Sequence, residues 1–207
     1  MISWIKWIIG LLLFAFVVGF LHYTLPQRDI VRIVDANNQR IDFSWYNRGF
    51  FAQSDLGNTD VGVNRDIRFI FAIQRDGDPY VYRNEDTGWI WPPYFKFDSN
   101  NLQAEALDGV STKEEPKWYI VRHYGWRIKF WSIYPNAISV TPTDTPDKRL
   151  IPWFNIIILL ILFAIFWAIF VRIRRFWNRR VEPVLDQVDA NVDETREKVG
   201  GFFKRIE

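Results

Sequence analysis

Cysteine is missing from all 207 residues, and the chain has only two histidines and one methionine. Without thiols neither a disulfide framework nor a thiolate metal site can form, so any folded part is held by packing alone. His123 is the one histidine between residues 26 and 149. It could at best share a metal with carboxylates, and HxH and HExxH patterns are absent, so no metal or other cofactor is expected. There is no G-x-S-x-G elbow, P-loop or dinucleotide fingerprint, which leaves the common hydrolase, nucleoside-triphosphatase and oxidoreductase classes without support. An excess charge of one sign is missing too. Residues 26–149 carry 16 basic and 17 acidic side chains, a balance that gives no field for nucleic acid, and none is expected as a partner.

Charge disappears altogether from two runs, residues 7–21 (WIIGLLLFAFVVGFL) and residues 150–171 (LIPWFNIIILLILFAIFWAIFV). A bilayer core of about 30 Å needs roughly 20 mostly apolar helical residues. The second run supplies them outright, and the first does so once its flanking turns are counted. Trp4, Trp7 and Tyr23 near the ends of the first, with Trp153 and Trp177 near the ends of the second, suit the aromatic belts of membrane interfaces. A cleaved signal peptide would also place a short basic start before an apolar run. The small-x-small cleavage site is absent, however, and His22-Tyr23-Thr24-Leu25-Pro26 follows, so residues 1–25 read as an uncleaved signal anchor.

Five arginines, Arg172, Arg174, Arg175, Arg179 and Arg180, follow the second run. Under the positive-inside rule they place the C-terminal tail in the cytoplasm, and two spans return the N-terminus with Lys6 to the same side. They could also meet anionic lipid head groups, although their first role is topological. The expected division is a transmembrane anchor at 1–25, a β-rich domain outside the cytoplasm at 26–149, a second transmembrane helix at 150–173 and a cytoplasmic basic segment with an amphipathic helix at 174–207. The fold class is a membrane-anchored, mainly β protein with a small antiparallel sheet, barrel-like or open, and one short helix. Both termini are expected in the cytoplasm.

Period-2 patterning dominates the middle segment. Residues 30–34 and 40–46 read as a hairpin about the turn 35–38, and 54–64 as a Gly/Asn/Asp-rich loop. Residues 66–74 and 80–83 read as strands joined by Arg75-Asp76-Gly77-Asp78-Pro79, in which Asp-Gly tolerates the positive φ of a tight turn. Ser99 is a candidate N-cap for a short helix ended by Asp108-Gly109. Strands are expected at 118–124, 126–134 and 137–141, with a linker at 142–148. In the tail, Val181, Leu185, Val188, Val192, Thr195, Val199, Phe202 and Ile206 are spaced alternately four and three apart, a heptad seam able to pair with a like helix or a partner, or to lie on the membrane.

Candidate contact residues cluster in two stretches. Glu85, Asp86 and Asp98 flank Trp89, Trp91 and Tyr94, as carboxylates flank aromatics in carbohydrate-binding clefts, where such a pair acts as acid and base. Asn84-Glu85-Asp86-Thr87-Gly88 is equally a polar turn whose side chains bond nearby backbone, and that plainer reading is preferred. His123 and Trp126 lie in the second stretch; the histidine reads as structural or surface, and the tryptophans as core, with Trp91 and Tyr94 the best candidates for exposure.

The strings YRNEDTGWIWPPYFKFDSNNLQAEA (82–106), KWYIVRHYGWRIKFWSIYPNAISV (117–140) and HYTLPQRDIVRI (22–33) resemble an uncharacterised family of inner-membrane proteins found chiefly in alphaproteobacteria, a domain of unknown function. The resemblance implies the bacterial inner membrane, with 26–149 in the periplasm, and carries no catalytic residues with it. The expected role is a non-enzymatic envelope protein whose periplasmic domain contacts a partner protein or envelope component, as an accessory or assembly subunit. The alternative is a periplasmic ligand-binding or carbohydrate-active domain.

Overall fold

A computed structural model describes residues 2–51, 64–89, 91–181 and 183. The chain divides into two units, Met1–Ile151 and Pro152–Glu207. The first begins with helix α1, Ile2–Thr24. Strand β1, Gln27–Asp42, follows, then β2 at Asn64–Gln74, β3 at Pro79–Arg83, helix α2 at Ser99–Asp108, β4 at Trp118–Tyr124 and β5 at Asn136–Thr143. The second unit holds helix α3, Trp153–Phe176, and a π-helical turn, Trp177–Val181. Two helical stretches, Trp4–Thr24 and Trp153–Val181, are long and apolar enough to cross a membrane. The heptad positions from Leu185 onward, Leu185, Val188, Val192 and Val199 included, and most of the expected loop at 54–64, lie outside the described residues.

The five strands form a mixed sheet in the order β1-β2-β3-β5-β4, and β4 pairs back onto β1. Four of the contacts are antiparallel ladders. The fifth, between β3 and β5, is parallel and consists of the single pair Arg83↔Asn136. The sheet is therefore curled on itself and joined at that seam by one pair, not zipped along a full ladder, and the purely antiparallel expectation is corrected at this point.

Its interior is filled by β-branched and small residues, among them Val31, Ile33, Ile70, Ala72, Val121 and Ala137, and is plugged by Leu102 and Ala106 of α2. The spacing of four puts those two side chains on one helix face. A second cluster on the other side of β2 packs Phe51, Ile67 and Phe69 with Phe43, Phe71 and Tyr134. Strand β2 is thus buried on both faces, which is why its apolar residues do not keep strict alternation. Complete burial of one such aliphatic side chain contributes roughly 1.5–3 kcal/mol.

The expected hairpin over 30–46 does not form. Asp35 accepts a hydrogen bond from the Ala36 N–H (2.8 Å), the local bond a turn would make. It does so, however, at a register shift between Ile33 and Asp35 inside one continuous strand that pairs with β2 as far as Asp42↔Asn64. The shift is a β-bulge at Val34, which bends the strand without reversing it, and the polar run 35–38 pairs regularly with β2. The strand expected at 126–134 is also absent, because both edges of β4 are already taken by β1 and β5. The segment makes only the bridge Ile128↔Ile133 around a short 3₁₀ turn. The remaining strands fall where the alternation places them, and Gly77 takes the positive φ (93°) that the turn before β3 requires.

Candidate functional site

The Asn-Glu-Asp-Thr-Gly segment leaves β3 and turns inward. Glu85 is 8% exposed, and its carboxylate accepts hydrogen bonds from the guanidinium groups of both Arg83 and Arg65. Arg83 also donates from Nε to the Tyr134 carbonyl (3.0 Å) and lies over the rings of Phe51 and Tyr124. Burial is the largest single influence and works against its charge, but the Glu85 carboxylate together with the Tyr124 and Tyr23 hydroxyls overcomes it and keeps the guanidinium ionised. Asn136, in β5, brackets Glu85: its Oδ1 accepts from the Glu85 N–H and its Nδ2 donates to the Glu85 carbonyl, each at 2.9 Å. A side-chain amide here supplies what a neighbouring strand would have supplied, next to the single-pair seam.

Asn84 donates to the Ser99 carbonyl (2.9 Å) and to Gln103 Oε1 (2.8 Å), tying the turn to α2. Lys96 is buried and donates from Nζ to Asn84 Oδ1 and to the Ala137 carbonyl (2.8 Å). Burial pulls its pKa down to about 7, and the nearby Asp86 and Glu85 only partly oppose this. The Thr87 and Gly88 N–H groups both donate to the Lys96 carbonyl, at 3.0 and 3.2 Å. The whole segment is a buried polar network closed on itself.

The other two candidate carboxylates meet at the start of α2. Asp86 accepts from the backbone N–H and hydroxyl of Ser99 (2.9 and 2.8 Å), and Asp98 accepts from the Asn101 N–H (3.0 Å). The N-cap is therefore Asp98 and not Ser99, and both acids neutralise the orphan N–H groups of the first turn. The structure thus brings Asp86 and Asp98 together and sends Glu85 to the arginines.

Inside the curled sheet, His123 is 1% exposed and not on a surface. Its Nε2 lies 2.9 Å from Asp29 Oδ2, which also accepts from the Tyr82 hydroxyl at 2.8 Å. Burial raises the Asp29 carboxyl, but the His123 and Tyr82 hydrogen bonds prevail and hold it below the usual carboxylate value. The same environment pushes the Tyr80 hydroxyl up to about 12, chiefly through burial, with the Asp29 charge adding to it.

The end of α1 is built into the domain. Gly125, at a φ of 94°, donates from its N–H to the Tyr23 carbonyl (2.9 Å), and the Tyr94 hydroxyl donates to the Thr24 carbonyl. Two of the C-terminal carbonyls that a helix leaves without internal partners are satisfied in this way. The Tyr23 ring packs edge-on against Phe50, Tyr124 and Trp126 at 5.3–6.1 Å, and Tyr94 stacks on Tyr124 at 4.9 Å. Trp126 donates from Nε1 to His22 Nδ1 (3.1 Å), and Trp91 stacks on Phe20 at 5.7 Å. Tyr94, expected to be exposed, is half-buried in this contact, whereas Trp89 and Trp91 are exposed.

In the second unit, Arg172, Arg175, Arg179 and Arg180 line an open groove with Ala168, Val171 and Phe176, and Arg174 is exposed on the same helix. Asp29, Tyr82, Arg83, Lys96 and Asn136 escaped the sequence reading. One signal could have found Lys96, a lone cation inside Tyr94-Phe95-Lys96-Phe97. None marks Asn136 as the partner of Glu85.

Comparisons with known proteins add a family. The family described as "Protein of unknown function (DUF1523)" matches residues 2–177. A relative described as an uncharacterized protein from Haemophilus influenzae (strain ATCC 51907 / DSM 11121 / KW20 / Rd) is 35% identical over 156 residues, 74% of this chain and 84% of its own length. No solved structure matches.

Proposed function

Because the chain belongs to the DUF1523 family of unknown function, its role has to come from its own geometry, and we propose that it is a non-enzymatic membrane-anchored presenter of a β domain. In this reading 1–25 and 150–173 are spans, 26–149 is a periplasmic domain that contacts a partner protein or envelope component, and 174–207 is a cytoplasmic segment that supplies a second contact. The bacterial inner membrane and the cytoplasmic placement of both termini belong to the same proposal, through the arginines after the second span.

One observation carries it. The two last carbonyls of α1, at Tyr23 and Thr24, are hydrogen-bonded by Gly125 and Tyr94 of the domain. A domain on a flexible tether would not need its anchor's final turn bonded into its own loops; a domain that must be held in one orientation does. Supporting this, Glu85, Asp86 and Asp98 each serve a structural hydrogen bond within the fold.

The test is mild-detergent or nanodisc purification of the tagged, full-length protein from its native membrane, with mass spectrometry of what travels with it. A stoichiometric partner, retained on gel filtration and lost when residues 26–149 are replaced by an unrelated domain, is the expected result. Pure monomer after gentle extraction and cross-linking would contradict the proposal.

A further inference from the structure

The domain's exposed aromatics are not scattered. Residues 43–51, 91–97 with Trp89, and 125–134 form three loops, and each touches the end of α1: the first through Phe50 on Tyr23, the second through Trp91 on Phe20, the third through Gly125 and Trp126 on Tyr23. The same three loops expose Trp45 (91%), Trp89 (81%), Trp91 (60%), Phe97 (58%) and Phe130 (89%). Rings also join the loops laterally, since Tyr46 lies 6.5 Å from Trp131 and Phe50 lies 6.2 Å from Trp126. At the other end of β4, residues 112–117 (TKEEPK) are exposed and charged. Seven residues of strand, about 20 Å, separate the two ends. One end of the domain is aromatic and the other is charged.

Depth decides what the aromatic end faces. The apolar stretch of α1 has 21 residues, Trp4–Thr24, or about 31 Å at 1.5 Å per residue, so a hydrocarbon core of about 30 Å uses all of it. There is no slack to lift the helix out. Yet the loops reach back along it: Trp91 stacks on Phe20, and Trp126 is the side chain that a Cβ on Gly19 would meet, at 3.7 Å. Gly19 lies five residues before Thr24, about 7.5 Å down the helix axis. That matches the 5–10 Å to which amphipathic aromatic surfaces enter the boundary between head groups and acyl chains. Exposed tryptophans are costly in water and favoured at this boundary.

Resting on the reading of α1 as a membrane span, we propose that the loops 43–51, 91–97 with Trp89, and 125–134 form a collar that seats the domain in the outer interface of the phospholipid bilayer, with Trp45, Trp89 and Phe130 immersed among lipid. The domain then lies on the membrane with its charged end, 112–117, pointing into the aqueous space. The bilayer, and not a second protein, covers the aromatic face, because that face is continuous with the lipid-facing surface of α1.

The absence of cysteine makes the test direct, since a single introduced thiol takes a single spin label. W45C, W89C and F130C, with L13C in the middle of α1 and E115C in the charged segment as references, are each labelled in the full-length protein in phosphatidylethanolamine/phosphatidylglycerol vesicles. Collision with oxygen, which concentrates in lipid, is compared with collision with a water-soluble nickel chelate. All five positions are exposed, so the substitutions do not disturb the core. The expected ratio of oxygen to nickel collision at 45, 89 and 130 is severalfold above that at 115 and approaches that at 13. A ratio at those three positions equal to the one at 115, with 13 in lipid, would overturn the collar while leaving the span intact. Labels at 45, 89 and 130 shielded from both reagents would also overturn it and assign the loops to a protein contact. A water-exposed label at 13 would remove the span and the collar together.

Discussion

Asn136 and Glu85 pair as two strands would, N–H to Oδ1 and Nδ2 to carbonyl at 2.9 Å each, where β3 and β5 share one backbone pair. One side chain thereby stands in for a missing ladder. Replacing Asn136 by Ala takes both of these hydrogen bonds from the buried Glu85 backbone, at a cost of about 1–3 kcal/mol for each bond lost there. Thermal melting of the full-length protein in detergent is expected to show a clearly lowered Tm for N136A, whereas K113A, at an exposed position in the charged segment, stays close to the parent.

The Glu85 carboxylate is the counter-ion of a guanidinium whose side chain is 3% exposed, that of Arg83. Removing the acid strands a charge in the interior, so E85Q is expected to destabilise the fold by about 3–5 kcal/mol, the usual cost of breaking a buried pair from one side. R65M should cost less, because the Arg65 side chain is 29% exposed. A double-mutant cycle between Glu85 and Arg83, read by chemical denaturation in micelles, is expected to give a large positive coupling, and additive effects would contradict the pairing.

Lys96 gives the domain a specific pH dependence. Its folded pKa, about 7, lies below the ordinary 10.5 because burial disfavours the ammonium form. Between those two values the unfolded chain binds more protons than the folded one, so stability rises with pH across that window, at up to about 1.4 kcal/mol per unit, and below pH 7 the full penalty persists. The parent protein is therefore expected to melt higher at pH 9 than at pH 7, and K96M to lose this increment.

At the junction, Gly125 adopts a φ of 94° with the Pro135 Cα 3.6 Å from where a Cβ would stand. An alanine there is strained by about 1–2 kcal/mol and weakens the hydrogen bond to Tyr23. Hydrogen exchange of the full-length protein in nanodiscs should show faster exchange in residues 20–27 for G125A and for Y94F, with strands β2 and β3 unchanged.

How much was legible in the sequence follows from the range of the interactions involved. The two apolar runs, the hairpin turn at Gly77, the helix ending at Asp108 and strand β4 are written in local composition and periodicity, and the structure has them. The segments 30–46 and 126–134 were misread because their outcome depends on distant partners. Pairing with β2 carries β1 straight through the polar run 35–38, and the occupied edges of β4 leave 126–134 without a strand to join. The candidate site divides in the same way. Asp98 caps α2 from the adjoining position, whereas Asp86 reaches Ser99 across 13 residues, and the polar turn at 84–88 was recognisable as such. Asn136 lies 51 residues from Glu85, and Asp29 lies 94 from His123. Contacts over such separations leave no trace in spacing.

The central claim is that residues 26–149 are held outside the cytoplasm between two spans. The most direct test is thiol accessibility in intact cells with a permeabilised outer envelope, using E115C in the charged segment and N178C beside the arginines, each the sole cysteine of its chain. A membrane-impermeant maleimide is predicted to label position 115 at once and position 178 only after the inner membrane is broken. Labelling of 178 but not 115 in intact cells, or of both alike, would contradict the account.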